Sequence, residues 1–247
     1  MDLWIEQACE PNSLLLCWEA PITQRDRNRW VVGAVDRTSE FLTFRYLVDS
    51  EFLAQNFGRS REQLKEAGYL GYPAFNEDRA VTFTEGVREA FVRRLPPQSR
   101  SDFPSYLAQF LLRPGSARSD LALLGATEAR LPSDGFSLIN PLDADSGPCE
   151  VLVEIAGQRH YSAVPLCVGD ALYLTPDPTN EYDPNAVRFE AEGALTGHVS
   201  RTQAPAVLAW LARGQISAYV ARLNGTPDRP KAFAILRYQP ASERAAA

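Results

Sequence analysis

Short apolar runs separated by polar breaks dominate the first fifty positions. Residues 14–18, 30–35 and 41–46 each read as a strand, the last with partial alternation. The period then lengthens. Ser60-Arg61-Glu62-Gln63 has capping-box spacing and Gly68 is a fitting stop, which predicts a short helix between them. Thr84 is placed to cap a second helix with Val87, Ala90 and Phe91 on its apolar face and Pro96-Pro97 at its end. A third helix is predicted from about Asp102, with Phe103, Tyr106, Leu107, Phe110 and Leu111 on one side. A fourth, short one covers 119–124 and stops at Gly125. Strands followed by helices make this part α+β.

A polar stretch bearing Pro and Gly, 140–148, breaks the pattern. Beyond it the apolar runs are short and strand-like: 152–155, 161–164, 171–174, 186–189, 196–199, 216–223 and 232–238. One helix interrupts them, with Thr202 as its cap, Val207, Leu208 and Leu211 facing inward, and Gly214 at its end. Many short strands with closely spaced turn signals predict a small barrel. The expected organisation is an α+β domain over 1–140, a linker at 141–148, a mainly β domain with one helix over 149–240, and a loose tail at 241–247.

Composition narrows the function classes. An apolar fraction of 45% supports a buried core and argues against global disorder. The formal net charge is −6, with about −1 carried from Glu150 onward and about −5 before it. Neither part has the basic excess of a protein that coats long nucleic acid, although a few arginines suffice for one end. Lys65 and Lys231 are the two lysines, beside 23 arginines. Arg188, Arg213, Arg222 and Arg237 read as solvated surface charges. The cysteines at 9, 17, 149 and 167 are far apart without a CxxC, and the histidines are His160 and His198. No metal or cofactor is expected, and the thiols read as reduced, in a cytoplasmic setting. No basic-plus-apolar leader is seen, and the run at 14–18 is far too short to span a bilayer.

The chain also lacks G-x-S-x-G, Walker A, GxGxxG and H-E-x-x-H. Carboxylate-plus-lysine nuclease chemistry needs acids close to a lysine. Asp177 and Glu190 are available, but Lys231 is the one lysine in that half. Ser133 and Asp134 lack a nearby His. No catalytic residue is assigned, and the chain reads as a non-enzyme.

The densest chemistry lies in Pro178-Thr179-Asn180-Glu181-Tyr182-Asp183-Pro184-Asn185-Ala186-Val187, with Gly197-His198-Val199 following. Two Asn, one Asp, one Tyr and two Pro are more than a simple turn requires. Two readings stand on the residues alone. Asn180, Asp183 and Asn185 close an Asx-type turn and Tyr182 covers a barrel end, or the same groups face a ligand. His198 is equally well a structural histidine or an anion contact.

Four blocks carry a resemblance: Gly157-Gln158-Arg159-His160-Tyr161, Val168-Gly169-Asp170, Asp177 through Val187, and Gly197-His198-Val199-Ser200-Arg201. In order and spacing they resemble a HIRAN domain over about 149–238. The resemblance implies an OB-like barrel whose pocket grips the 3′ end of single-stranded DNA. Arg159 would hold a phosphate near the end, with His160 and Tyr161 beside it. Asn180 and Asp183 would line the pocket, Asp183 accepting from the terminal 3′-hydroxyl. Tyr182 would stack on the last base, with Phe233 on its other face. His198 and Arg201 would contact backbone phosphates. His160 stands where the family often has Tyr, and Arg201 where it often has Lys; Pro184 is common in bacterial members. The chemistry is compatible: aromatic stacking contributes about 1–3 kcal/mol per base. A carboxylate beside a phosphate chain repels it, so Asp183 fits where a free hydroxyl replaces the next phosphate.

The N-terminal part carries a fainter resemblance. Gly68-Tyr69-Leu70-Gly71-Tyr72-Pro73-Ala74-Phe75, then Phe91-Val92-Arg93-Arg94-Leu95-Pro96-Pro97-Gln98-Ser99-Arg100, then 120–125, resemble the N-terminal subdomain of HipA-type kinases. No kinase lobe follows. This implies a non-catalytic regulatory module that docks on a separate HipA-like kinase, in a toxin–antitoxin or phage-defence setting. A plainer reading is also open: Leu95-Pro96-Pro97 stops a helix and Gly71-Tyr72-Pro73 makes a turn. Two functions therefore follow from the sequence, a binder of single-stranded DNA ends coupled to a regulatory domain, and an antitoxin-like protein-interaction regulator.

Overall fold

The computed structural model describes residues 2–20, 29–131, 133–161, 165–226 and 229–241. The chain forms two compact units. One joins Pro11–Phe103 to Ser119–Pro141; the other joins the segment ending at Glu10, Pro104–Arg118 and the chain from Leu142 onward. The sequence pattern marks one crossing, at 141–148, whereas the chain passes between the units after residues 10, 103, 118 and 141.

The first unit is built on an antiparallel sheet of β1 (Ser13–Glu19), β2 (Arg29–Arg37), β3 (Leu42–Tyr46), β4 (Thr82–Phe83) and β5 (Phe136–Ile139), in the order β4-β3-β2-β1-β5. Apolar β-formers line its central strands, and Leu14, Leu16, Trp30, Val35 and Phe44 are fully buried. The Phe44 ring meets Tyr46, Phe75, Phe83 and Phe91. Tyr72 and Phe91 stack at 5.2 Å and 4°, so Tyr72, from the proline turn, lies in the core.

The capping box at Ser60 forms as expected, with Gln63 returning to the Ser60 N–H at 2.8 Å. Other helix ends differ from the sequence reading. Gly86, left-handed at φ 68°, precedes helix Val87–Val92 in place of Thr84. The helix after Asp102 spans only Phe103–Ala108, and Leu111 turns the chain at φ 58°. Gly125 lies inside helix Asp120–Ala126 and does not end it. A Cβ there would stand 2.7 Å from Leu14 Cδ2 and 3.2 Å from Asn140 Cβ, so glycine serves close packing. Helix Asp49–Gln55, β4 and β5 carry too few residues to show a period.

The second unit holds β6 (Cys149–Glu154), β7 (Ala171–Pro176), β8 (Val187–Ala191), β9 (Ala194–His198), β10 (Gly214–Thr226) and β11 (Arg229–Pro240). All pair antiparallel, in the order β6-β11-β10-β7-β8-β9. The two edges then meet: Ala156, just past β6, bridges His198 with N–H···O distances of 2.8 and 2.9 Å. This closes the expected OB-like barrel. Gly197 permits the closure, since a Cβ there would lie 2.5 Å from Ile155 Cγ2 and 2.7 Å from the Ala156 carbonyl oxygen. Val151, Val153, Leu172, Val187, Phe189, Val220 and Leu236 fill the interior.

Helix Ala204–Arg213 packs against this core through Val207 and Trp210. Trp210 stacks on Tyr238 at 4.6 Å and donates its Nε1–H to the Asp143 carbonyl at 2.8 Å. Its N-cap is Gln203, not Thr202, and Leu208 and Leu211 are only partly buried. Of the strand expected at 161–164, residues 162–164 lie outside the described residues, as do 242–247 of the expected tail.

Candidate functional site

The turn between β7 and β8 is held by its own side chains. Asn180 Oδ1 accepts from the backbone N–H groups of Tyr182 at 3.0 Å and Asp183 at 3.2 Å. Asp183 Oδ1 accepts from the Asn185 N–H at 2.9 Å. Backbone bonds from Asn180 N–H to Asp177 and from Ala186 N–H to Asp183 complete it. These are Asx-type closures. They leave Asp183 Oδ2 facing Arg201 Nε at 3.3 Å, and Arg201 also donates to the Tyr182 carbonyl. Both backbone sides of Tyr182 are thereby fixed, while its side chain stands out: the residue is 81% exposed.

Asp177 links this turn to the barrel wall. Its carboxylate accepts from Thr179 Oγ1 and Asn180 Nδ2, each at 3.3 Å, and lies 3.6 Å from His198 Nε2. The Asn180 amide first, with Thr179, Arg188 and His198 in support, holds the Asp177 carboxyl below its ordinary value. His198 lies on β9 and also meets the Tyr161 ring edge-on at 5.8 Å. Tyr161 follows the short helical turn Gln158–His160, which Gly157 enters at φ 75°. On that turn Arg159 and His160 are exposed, with Arg159 Nε donating to His160 Nε2 at 3.0 Å.

Register places more polar groups on the same wall. Thr175 is paired with Arg188, Tyr173 with Glu190, and Arg188 with His198, and cross-strand partners share a face. Thr175 Oγ1 bonds Glu190 at 3.2 Å and Arg188 lies 3.3 Å from Glu190. The opposite face of these strands carries Leu172, Val187 and Phe189 into the core. The structure thus brings Tyr161, Asn180, Tyr182, Asp183, His198 and Arg201 around one rim, with Arg159 and His160 on the turn beside Tyr161. Phe233 is half-buried on β11, opposite Glu154, and its ring carries the Arg222 guanidinium at 4.4 Å.

Asp177, Thr175 and Arg188 were not assigned to the site from sequence. The signal was the alternation of Tyr173, Thr175 and Asp177 on one strand face. The four arginines read as solvated are engaged. Arg188 pairs with Glu190, Arg213 with Asp145, Arg222 donates to the Gln109 carbonyl, and Arg237 meets Glu150 at 2.8 Å.

Residues 149–237 match the family described as HIRAN domain. This segment is a HIRAN domain. Two solved structures are similar over 38% of the chain. One is the HIRAN domain of human HLTF, at 23% identity and TM-score 0.33 over 78% of that chain. The other is a protein from Lactobacillus plantarum, at 20% identity and TM-score 0.28 over 100% of that chain. No curated protein matches the chain. Within the HIRAN domain the described rim combines cationic nitrogens, an outstanding aromatic ring and a carboxylate, groups that suit an anionic chain bearing planar rings and a free hydroxyl.

Proposed function

We propose that the HIRAN domain of this protein binds the 3′ end of single-stranded DNA without catalysing a reaction. The observation that carries the reading is Tyr182: an aromatic ring left 81% exposed on a turn whose backbone is fixed on both sides. The HIRAN match and the rim of Arg159, His198 and Arg201 support it. The terminal base stacks on Tyr182, Arg159 and His198 take phosphate oxygens, and Asp183 receives the terminal hydroxyl. Asp183 keeps spare acceptor capacity beyond Asn185 and Arg201 for that bond. Phe233 on β11 is assigned the second aromatic face in this reading. In the same reading the N-terminal part is the regulatory module, and its HipA-like blocks point to a protein partner.

Fluorescence anisotropy at low salt tests this, with short single strands ending in 3′-hydroxyl, 3′-phosphate or no end. Binding restricted to the free 3′-hydroxyl and weakened about tenfold or more in Tyr182→Ala is the expected result. Equal binding of the 3′-phosphate would remove the Asp183 assignment.

A further inference from the structure

Tyr173 is the second outstanding aromatic on the HIRAN barrel. It lies on β7, 66% exposed, and among the described residues its side chain has no ring, hydrogen-bond or ion partner. Its neighbours on the strand, Leu172 and Leu174, turn toward the core. A tyrosine in mid-strand normally buries its ring against a cross-strand neighbour. Here the cross-strand neighbour is Glu190, which is occupied by Thr175 and Arg188.

Alternation along β7 places Tyr173 on the same face as Thr175 and, past Pro176, in line with Asp177 at the edge of the rim. Four residues of extended chain separate Tyr173 from Asp177, about 13 Å. Between them, on β8, stands Arg188, whose register partner is His198. One wall of the barrel therefore presents an aromatic, Arg188 in its 3.3 Å pair with Glu190, and the end-binding rim in sequence. This is the layout of a single-strand track, in which bases stack on aromatics while cations follow the backbone.

We infer that Tyr173 is a second base-stacking platform, which takes a base several nucleotides 5′ of the bound end, with Arg188 facing the backbone between. The inference rests on the end-binding reading above and extends it from a pocket for a terminus to a track. It makes affinity depend on strand length, which a terminal pocket alone does not.

The test uses the full chain and two probes with free 3′-hydroxyls, a dinucleotide and a strand of about eight nucleotides, within the range one OB fold covers. Wild type, Tyr173→Ala and Tyr173→Phe are titrated by anisotropy or calorimetry. Tyr173→Ala is expected to weaken the longer strand about tenfold, to leave the dinucleotide unchanged, and to be restored by Tyr173→Phe. Wild-type affinity for the longer strand with no loss in Tyr173→Ala overturns the track and leaves the pocket intact. Equal loss on both probes also overturns it, since the ring then acts through the rim. Failure of wild type to bind either probe removes the end-binding reading itself.

Discussion

Asp177 Oδ2 lies 3.6 Å from His198 Nε2, too long for a hydrogen bond but in close electrostatic contact with the ring. The same carboxylate takes the side chains of Thr179 and Asn180. One acid therefore couples a loop formed by local hydrogen bonds to a strand end held by barrel closure. The rim depends on both, because Asn180 sets the backbone of Tyr182 and Asp183 while His198 meets Asp177 and the Tyr161 ring from β9.

That coupling has a pH signature. The folded-state pKa of Asp177 is depressed, chiefly by Asn180. Its contribution to stability is present above the unfolded value of about 3.9 and disappears as pH falls through the lower folded value. Urea unfolding across a pH series is expected to show wild type more stable than Asp177→Asn near neutrality, with the gap narrowing below about pH 4. A gap independent of pH would show that the carboxylate charge contributes nothing.

Gly197 ties the fold to the site. An alanine Cβ would meet backbone oxygen of Ala156 at 2.7 Å, at φ 150°, where L side chains are strained. Gly197→Ala is expected to cost about 1–3 kcal/mol by denaturant unfolding and to weaken DNA binding as His198 shifts. Full stability with unchanged binding would show that the β6–β9 closure yields easily.

The N-terminal unit has its own sensitive point. The Arg94 side chain is 4% exposed and grips Asp134 at 2.6 and 3.1 Å while donating to the Ala129 and Phe136 carbonyls. Asp134→Ala leaves a buried guanidinium without its counter-charge, and a loss of about 3 kcal/mol is expected in denaturant unfolding. Asp134→Asn, which retains acceptors, should lose less. Equal stability of all three chains would contradict a structural role for the pair.

Arg159 gives a test by salt. Its guanidinium is exposed and bonded to His160. If it holds one phosphate, Arg159→Gln reduces the slope of log K against log salt by about 0.7, the single-strand value for one contact. An unchanged slope would take Arg159 off the phosphate path.

Much of this was legible locally. Leu14 through Trp18, Trp30 through Val35 and six runs after residue 148, all but the one at 161–164, carry the period and the apolar content of strands and form them, and their order alone predicts an α+β part followed by a small barrel. The turn at Asn180–Asp183 is legible for the same reason, since its hydrogen bonds join residues two or three apart. Helix ends were less so. Gly86 and Gly125 are chosen by chain direction and by packing against Leu14 and Asn140, which sequence spacing does not contain.

By itself the sequence determined which segments bury a face, where the chain turns and which side chains crowd the β7–β8 turn, because these follow from period and short-range hydrogen bonding. Tertiary structure alone decided that Asp177 meets His198, that Arg188 lies in register between Thr175 and His198, and that Tyr173 stands bare on the same wall. Those relationships depend on strand register and on closure of β6 onto β9. Both are set by long-range pairing, since a one-residue slip would turn every one of these side chains to the other face.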